Sequence, residues 1–198
     1  MCLCFCSGDP VEGDVRKDFS NDFAIGMMDA PAADPLCCLG SCFCPCCAQI
    51  YIRRKALHGD MTRYTCCQGY MDGIVPCFKS GKCGESSFPN LCLCMESFCC
   101  NGCAVSSTRM LVMDRHNLRS DKWDNRIIRC NNCIQMLSII CSCLSICIPE
   151  LDNCADTMNC IAQCTYAATQ GCMTAQINVE LNKREYFDAP VNEAMERV

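Results

Sequence analysis

The chain has 198 residues, room for one domain or two small ones with a real hydrophobic core. A net charge of −5 with 20% charged residues argues against a nucleic-acid binder that works by bulk phosphate neutralisation. The anomaly is 27 cysteines, well above the share that marks a disulfide scaffold or a metal-rich protein.

The amino terminus, Met1 to Pro10, lacks a basic stretch followed by a long apolar one, so no secretory signal is expected and a reducing compartment is the default. There, dense cysteine reads as metal ligation, acylation or buried packing more readily than as disulfides. Cys2, Cys4 and Cys6 alternate with apolar residues at the chain end and are candidate S-acylation sites, with packing or metal binding as the alternatives. Residues 7–35 read as loop, punctuated by Asp-Pro, Glu-Gly-Asp and Asp-Ala-Pro, with Phe19, Phe23 and Ile25 expected to dock as a short helix. This stretch is acidic, whereas Arg53-Arg54-Lys55 and residues 109–129 are basic, an asymmetry that suits a chain facing something acidic on one side.

Six cysteines then fall within eleven residues, Cys37-Cys38-Leu39-Gly40-Ser41-Cys42-Phe43-Cys44-Pro45-Cys46-Cys47. A core needing small apolar side chains would use Val or Leu, so thiols this dense ask for a chemical reason. From Cys46 to Leu57 a helix is expected, with Arg53, Arg54 and Lys55 in its last turn where cations suit the macrodipole, and His58-Gly59 as its stop. The three cations read as a solvated face, and as an anionic-lipid contact if the molecule lies on a membrane. Residues 60–91 read as loop again, including Cys66-Cys67-Gln68-Gly69. The pattern recurs at Leu91 to Cys103, followed by Ala104 to Met113, so that Cys47-Ala48 and Cys103-Ala104 stand at the mouths of two similar helices. This is a degenerate internal repeat.

The carboxy-terminal half predicts two long helices. Trp123, Ile127, Cys130, Cys133, Leu137, Ile140, Leu144 and Cys147 recur at spacings of three and four up to Pro149. Asp152 is a natural N-cap, and Cys154, Met158, Ile161, Thr165, Ala168, Cys172, Ala175 and Val179 form a second stripe. Together they predict an antiparallel hairpin whose small residues Ala168, Cys172 and Ala175 let the backbones approach. The segment Cys133 to Pro149 is 17 residues without a charge, at the lower limit for spanning a bilayer, and its partner carries Asp152, Asp156, Asn159 and Gln163. An amphipathic hairpin buried against the protein is therefore favoured over an inserted one.

Zinc takes four ligands, and with His58 and His116 the only histidines, structural sites must be mostly four-cysteine ones. Cys100-Asn101-Gly102-Cys103 and Cys130-Asn131-Asn132-Cys133 have knuckle spacing. Helix-face packing for Cys130 and Cys133, or a disulfide ladder in an oxidising compartment, are the alternatives. No run matches a ferredoxin spacing. A Cys-x-x-Cys redox site calls for a strand-to-helix context that the pattern lacks. Gly-rich phosphate loops, paired carboxylates in a pocket context and a serine nucleophile elbow are missing too, and no enzyme is expected.

The cysteine pair Cys37-Cys38, the run Cys44-Pro45-Cys46 and the continuation Cys47-Ala48-Gln49-Ile50 resemble the cysteine-rich placenta-specific-eight family, which includes plant cadmium-resistance proteins and cell-number regulators. That family's hallmark is two cysteines, four residues and Cys-Pro-Cys; here five residues intervene. Its closing segment is echoed by Cys172-Met173-Thr174-Ala175-Gln176 and the following Glu180-Leu181-Asn182-Lys183-Arg184, so the resemblance covers residues 35–185. It implies a cysteine-rich, usually membrane-associated protein linked to divalent-metal handling, calcium influx or control of cell number, with Cys44 and Cys46 as functional residues and Cys37, Cys38 and Cys42 beside them.

These readings combine into a mostly α, small cysteine-rich domain, with the helical hairpin in its second half and a loop-rich first half stapled by metal or disulfide. Its parts are an acidic segment 1–34, a cysteine-rich domain 35–185 and a tail 186–198. The expected function is non-enzymatic: membrane-associated binding or handling of a zinc- or cadmium-like metal, on the cytoplasmic face, the plasma membrane first, with Cys37, Cys38, Cys42, Cys44, Cys46, Cys100, Cys103, Cys130 and Cys133 as ligands. The alternative is a structural subunit of a larger assembly. Partners are a membrane surface and a protein or a second copy, not nucleic acid.

Overall fold

The computed structural model describes residues 7–10, 12–72, 80–82 and 84–185. The candidate acylation sites Cys2, Cys4 and Cys6 and the tail 186–198 lie outside them. The fold is mostly α. Its helices are α1 (Ala30–Ala33), α2 (Pro35–Phe43), α3 (Pro45–Ala56), α4 (Pro89–Cys99), α5 (Asn101–His116), α6 (Lys122–Cys147) and α7 (Asp152–Glu185).

Local chemistry sets these boundaries. Asp34 caps α2 by accepting from the Cys37 N–H at 3.0 Å, and prolines 35, 45 and 89 open α2, α3 and α4, where a missing N–H costs nothing. The α3 stop at His58-Gly59 is observed: both residues are left-handed, φ 54° and 75°, and the Gly59 N–H reaches back to the Arg54 carbonyl at 2.8 Å. Asn117, also left-handed, closes α5. Asp121 caps α6 through the Trp123 N–H, whereas Asp152, expected as a cap, is already helical as the first residue of α7.

The core gathers around the carboxy-terminal half of α7. Ile52, Leu57, Leu93, Val112, Leu118 and Ile177 are all but completely buried in one cluster, and α7 packs on α1, α2, α3, α5 and α6. Residues 12–34 are stitched to this body. Asn21 and Asp22 (β1) pair in parallel with Leu118 and Arg119 (β2). Arg16 Nε meets Asp114 at 2.6 Å, and the Met27 and Ala24 N–H groups donate to Asp124 at 2.9 Å and Glu180 at 2.6 Å. Phe19, Phe23 and Ile25 form no helix: a 3-10 turn at Val15–Asp18 and β1 take that stretch, and Phe23 lies under the Arg109 guanidinium at 4.5 Å.

The hairpin of α6 and α7 exists, but beyond Ile127 the apolar stripe of α6 faces outward. Only 11% of the most apolar stretch of α6 is buried; of the stripe expected to face protein, Ile127 packs on Met27, Val105 and Met173, whereas Trp123, Leu137, Ile140 and Leu144 are exposed. What α6 buries is Asp124, Asn131 and Ser138; the distal half of α7 buries Ala155, Ala162 and Thr169. Each set steps by seven, the register of two helices along one seam. Polar bonds hold the seam: Gln135 Nε2 donates to the Ala162 carbonyl at 2.8 Å, and the Ser138 and Ser142 hydroxyls both donate to Asn159 Oδ1. Small residues meet in the seam and the large apolar ones of α6 look outward, as in helices packed in apolar surroundings, whereas α7 exposes Asp152, Asp156 and Gln163.

Candidate thiol sites at the helix mouths

All the described cysteines are free thiols. Two places in the fold repeat. Cys44 is the N-cap residue of α3 and Cys47 its third residue; Cys100 and Cys103 hold the same positions on α5. The cap backbones agree, φ/ψ −134°/68° for Cys44 and −137°/51° for Cys100. The repeat extends to the buried arginines six residues beyond Cys47 and Cys103: Arg53 pairs with Glu96 at 2.9 Å and Arg109 with Asp124 at 2.8 Å. The two helices also bind each other there, Gln49 Nε2 and Arg53 both donating to the Ala104 carbonyl. Cys172, the first residue of the segment that echoes the family's closing motif, lies in the interior of α7.

The sequence-expected ligands fall into separate groups. Cys37, Cys38 and Cys42 ride on α2 against α7, where burial pushes Cys37 up to about 11 and also raises Cys42. There Gly171 of α7 makes room: a Cβ on it would come within 2.8 Å of the Cys42 sulfur and 2.9 Å of the Cys38 carbonyl. Cys44 lies beyond the break between α2 and α3 and is exposed, and the Cys46 thiol turns inward to the Ser97 carbonyl at 3.3 Å. Successive helical positions point about 100° apart and only residues three or four apart share a face, so the Cys38 thiol meets those of Cys42 and of Cys172 on α7, while Cys44 and Cys46 lie apart from them. Cys130 and Cys133 sit on α6 and Cys100 and Cys103 at the mouth of α5, and among the described residues the four do not form a group of converging metal-binding atoms.

Among the described residues, one group brings three metal-binding atoms within 4.8 Å of one another: Cys66, Cys67 and Glu96, all buried. Cys66 opens a 3-10 turn in which Cys67 and Gln68 adopt left-handed φ of 47° and 49°. Such a backbone costs non-glycine residues about 1–2 kcal/mol each and persists where surrounding contacts over-determine it. Those contacts are present. The Cys67 N–H and the Tyr64 hydroxyl donate to Glu96 Oε2, each at 2.8 Å, the Cys66 N–H donates to Glu85 at 2.5 Å, and the Thr65 N–H donates to Gln68 Oε1 at 2.8 Å. Burial and then the Glu96 carboxylate push the Cys67 thiol up to about 11. Burial also lowers the Arg53 pKa against the opposing pull of Glu96.

From the sequence Cys66 and Cys67 read as loop, and Glu96 carries no expected role. Two features pointed there: an adjacent cysteine pair entering a Gln-Gly turn, and a single carboxylate inside the otherwise uncharged stretch from Leu91 to Cys103. Comparison of the chain with family models, with curated proteins and with solved structures gives no match in any of the three.

Proposed function

We propose that this chain is a non-enzymatic thiolate protein that holds a divalent metal of the zinc or cadmium kind at Cys66, Cys67 and Glu96 and lies on the cytoplasmic face of a membrane. The observation that carries the metal reading is the convergence of those three buried ligand atoms. The donor set fits: two thiols supply soft ligands, and a carboxylate oxygen is an ordinary third one for zinc. The charges also fit. Arg53 and Glu96 cancel each other, and two thiolates balance a divalent ion, so the loaded group adds no net charge to the interior.

Support for the membrane reading comes from α6, the one helix among the described residues long and apolar enough to cross a bilayer, whose large apolar side chains look outward. A hairpin whose seam joins Gln135, Ser138 and Ser142 of α6 to α7, with Met136, Ile139, Ile140 and Ile146 outside, offers an apolar environment its α6 side, while Asp152, Asp156 and Gln163 of α7 face the other way out. The resemblance carried by Cys44-Pro45-Cys46 points the same way.

The metal reading is tested by titrating the reduced full chain with cadmium and following thiolate-to-metal absorption. The Cys66→Ser/Cys67→Ser variant is expected to lose the tightest equivalent and to keep its helix content. Equal titration curves would refute the assignment. Flotation with vesicles of anionic phospholipid tests the second part, since a chain that stays in the soluble fraction would instead use the α6 face against protein.

A further inference from the structure

The two Cys-x-x-Cys turns share a backbone and differ in their surroundings. An N-cap side chain leans back over the N–H groups of the second and third helical residues, so a cysteine at the cap and one at the third position bring their sulfurs to the same helix end. At α3 both members, Cys44 and Cys47, are exposed to solvent. The residue between them that turns inward is Cys46. At α5 both members, Cys100 and Cys103, are half-buried, and Tyr166 of α7 covers the turn: a Cβ on Gly102 would meet the Tyr166 hydroxyl at 2.9 Å. The missing strand that counted against a redox reading matters less than the feature present at both sites, a helix amino terminus whose partial positive charge favours a thiolate.

We propose that Cys44 and Cys47 form a reversible dithiol switch, closing to an intramolecular disulfide on contact with a low-molecular-weight disulfide of the glutathione type before any other described pair, while Tyr166 keeps the equivalent Cys100 and Cys103 reduced. The Cys44 thiolate attacks one sulfur of the small disulfide, breaking its S–S bond and releasing one small thiolate. Cys47 gives its proton to solvent and attacks the Cys44 sulfur, releasing the second small thiolate, and the two released thiolates take up the two protons lost by the protein. Two protein thiols are oxidised and one small disulfide is reduced to two small thiols. The order of attack is consistent with the local contacts: the Cys47 thiol and main-chain N–H lie against the Cys44 sulfur and draw its pKa below the ordinary thiol value, in a contact looser than a formed cap hydrogen bond. Neither sulfur belongs to the Cys66, Cys67 and Glu96 group, so this switch stands or falls apart from the metal reading.

The test exposes the reduced, metal-free full chain to graded ratios of glutathione disulfide to glutathione, blocks remaining thiols by alkylation and maps the products by peptide mass spectrometry. The expected first product is the Cys44–Cys47 disulfide. Cys47→Ser should accumulate glutathione on Cys44 at least tenfold faster than on the exposed Cys94 or Cys99. Tyr166→Ala should raise Cys100–Cys103 oxidation towards the Cys44–Cys47 rate, while Tyr166→Phe, which keeps the ring, should not. Circular dichroism checks that each variant retains its helices. Oxidation of Cys100 and Cys103 together with or before Cys44 and Cys47 in the unmodified chain would overturn the proposal, as would glutathione spread evenly over the exposed thiols in Cys47→Ser.

Discussion

Arg53 shows most plainly what a residue's place in space adds to its place in the sequence. In the run Arg53-Arg54-Lys55 it read as one of three solvated cations, yet it is completely buried, donating to Glu96, Thr108 and the Ala104 carbonyl. Lys55 binds Asn178 and Asn182 of α7, and Arg54 alone of the three is exposed. Nothing in the run distinguishes them, because the carboxylate that draws Arg53 inward lies 43 residues away. Arg53→Met, which strands Glu96 without its counter-charge, should cost about 3–5 kcal/mol in urea unfolding, whereas Arg54→Met should stay within about 0.5 kcal/mol. Equal effects would contradict the burial. The thiols make a second prediction at this scale. Cys37, Cys67 and Cys172 are held up to about 11, by burial first in each case, against an ordinary value of 9.0. The unfolded chain therefore ionises these groups before the folded one does, and their contribution is complete below pH 9 and lost as pH rises through 9 to about 11. Thermal melts of the reduced, metal-free protein should fall across that window and not below it; a melting temperature unchanged from pH 8 to 11 would refute the claim.

At the scale of elements, the spacings of three and four correctly marked α6 and α7 as helices and Pro149 as their break, because helical period is a local property. They misassigned the buried face of α6 beyond Ile127, since a stripe records which side of a helix is apolar and not which side meets protein. The small and polar residues Asn131, Ser138, Ala155 and Ala162 took the seam instead. Substitutions should separate the two faces. Ile139→Lys or Ile146→Lys on the exposed face should leave unfolding free energy within about 0.5 kcal/mol and sharply reduce flotation with anionic vesicles. Ala162→Leu, which overfills the seam, should cost about 1–3 kcal/mol. If the Lys variants unfold the protein, or float as well as the unmodified chain, the outer face is not what touches lipid.

For the whole molecule, the internal repeat was visible in Cys47-Ala48 and Cys103-Ala104 because each pair sits in an uninterrupted local pattern. The Cys66, Cys67 and Glu96 group was not, since it joins a strained turn to a helix that begins more than twenty residues later. Density of cysteine drew the reading to residues 37–47, whereas convergence occurs where α4 and α5 close over the turn. Metal binding there must expel protons from two buried thiols, so apparent affinity should climb about tenfold per pH unit for each proton released below the thiol pKa. The most direct measurement is zinc bound per chain after equilibrium dialysis of the reduced protein, compared with Cys66→Ser/Cys67→Ser. The unmodified chain should hold one ion tightly and the double variant none, both proteins remaining helical. Zinc retained equally by the two, or by neither, would contradict the metal reading.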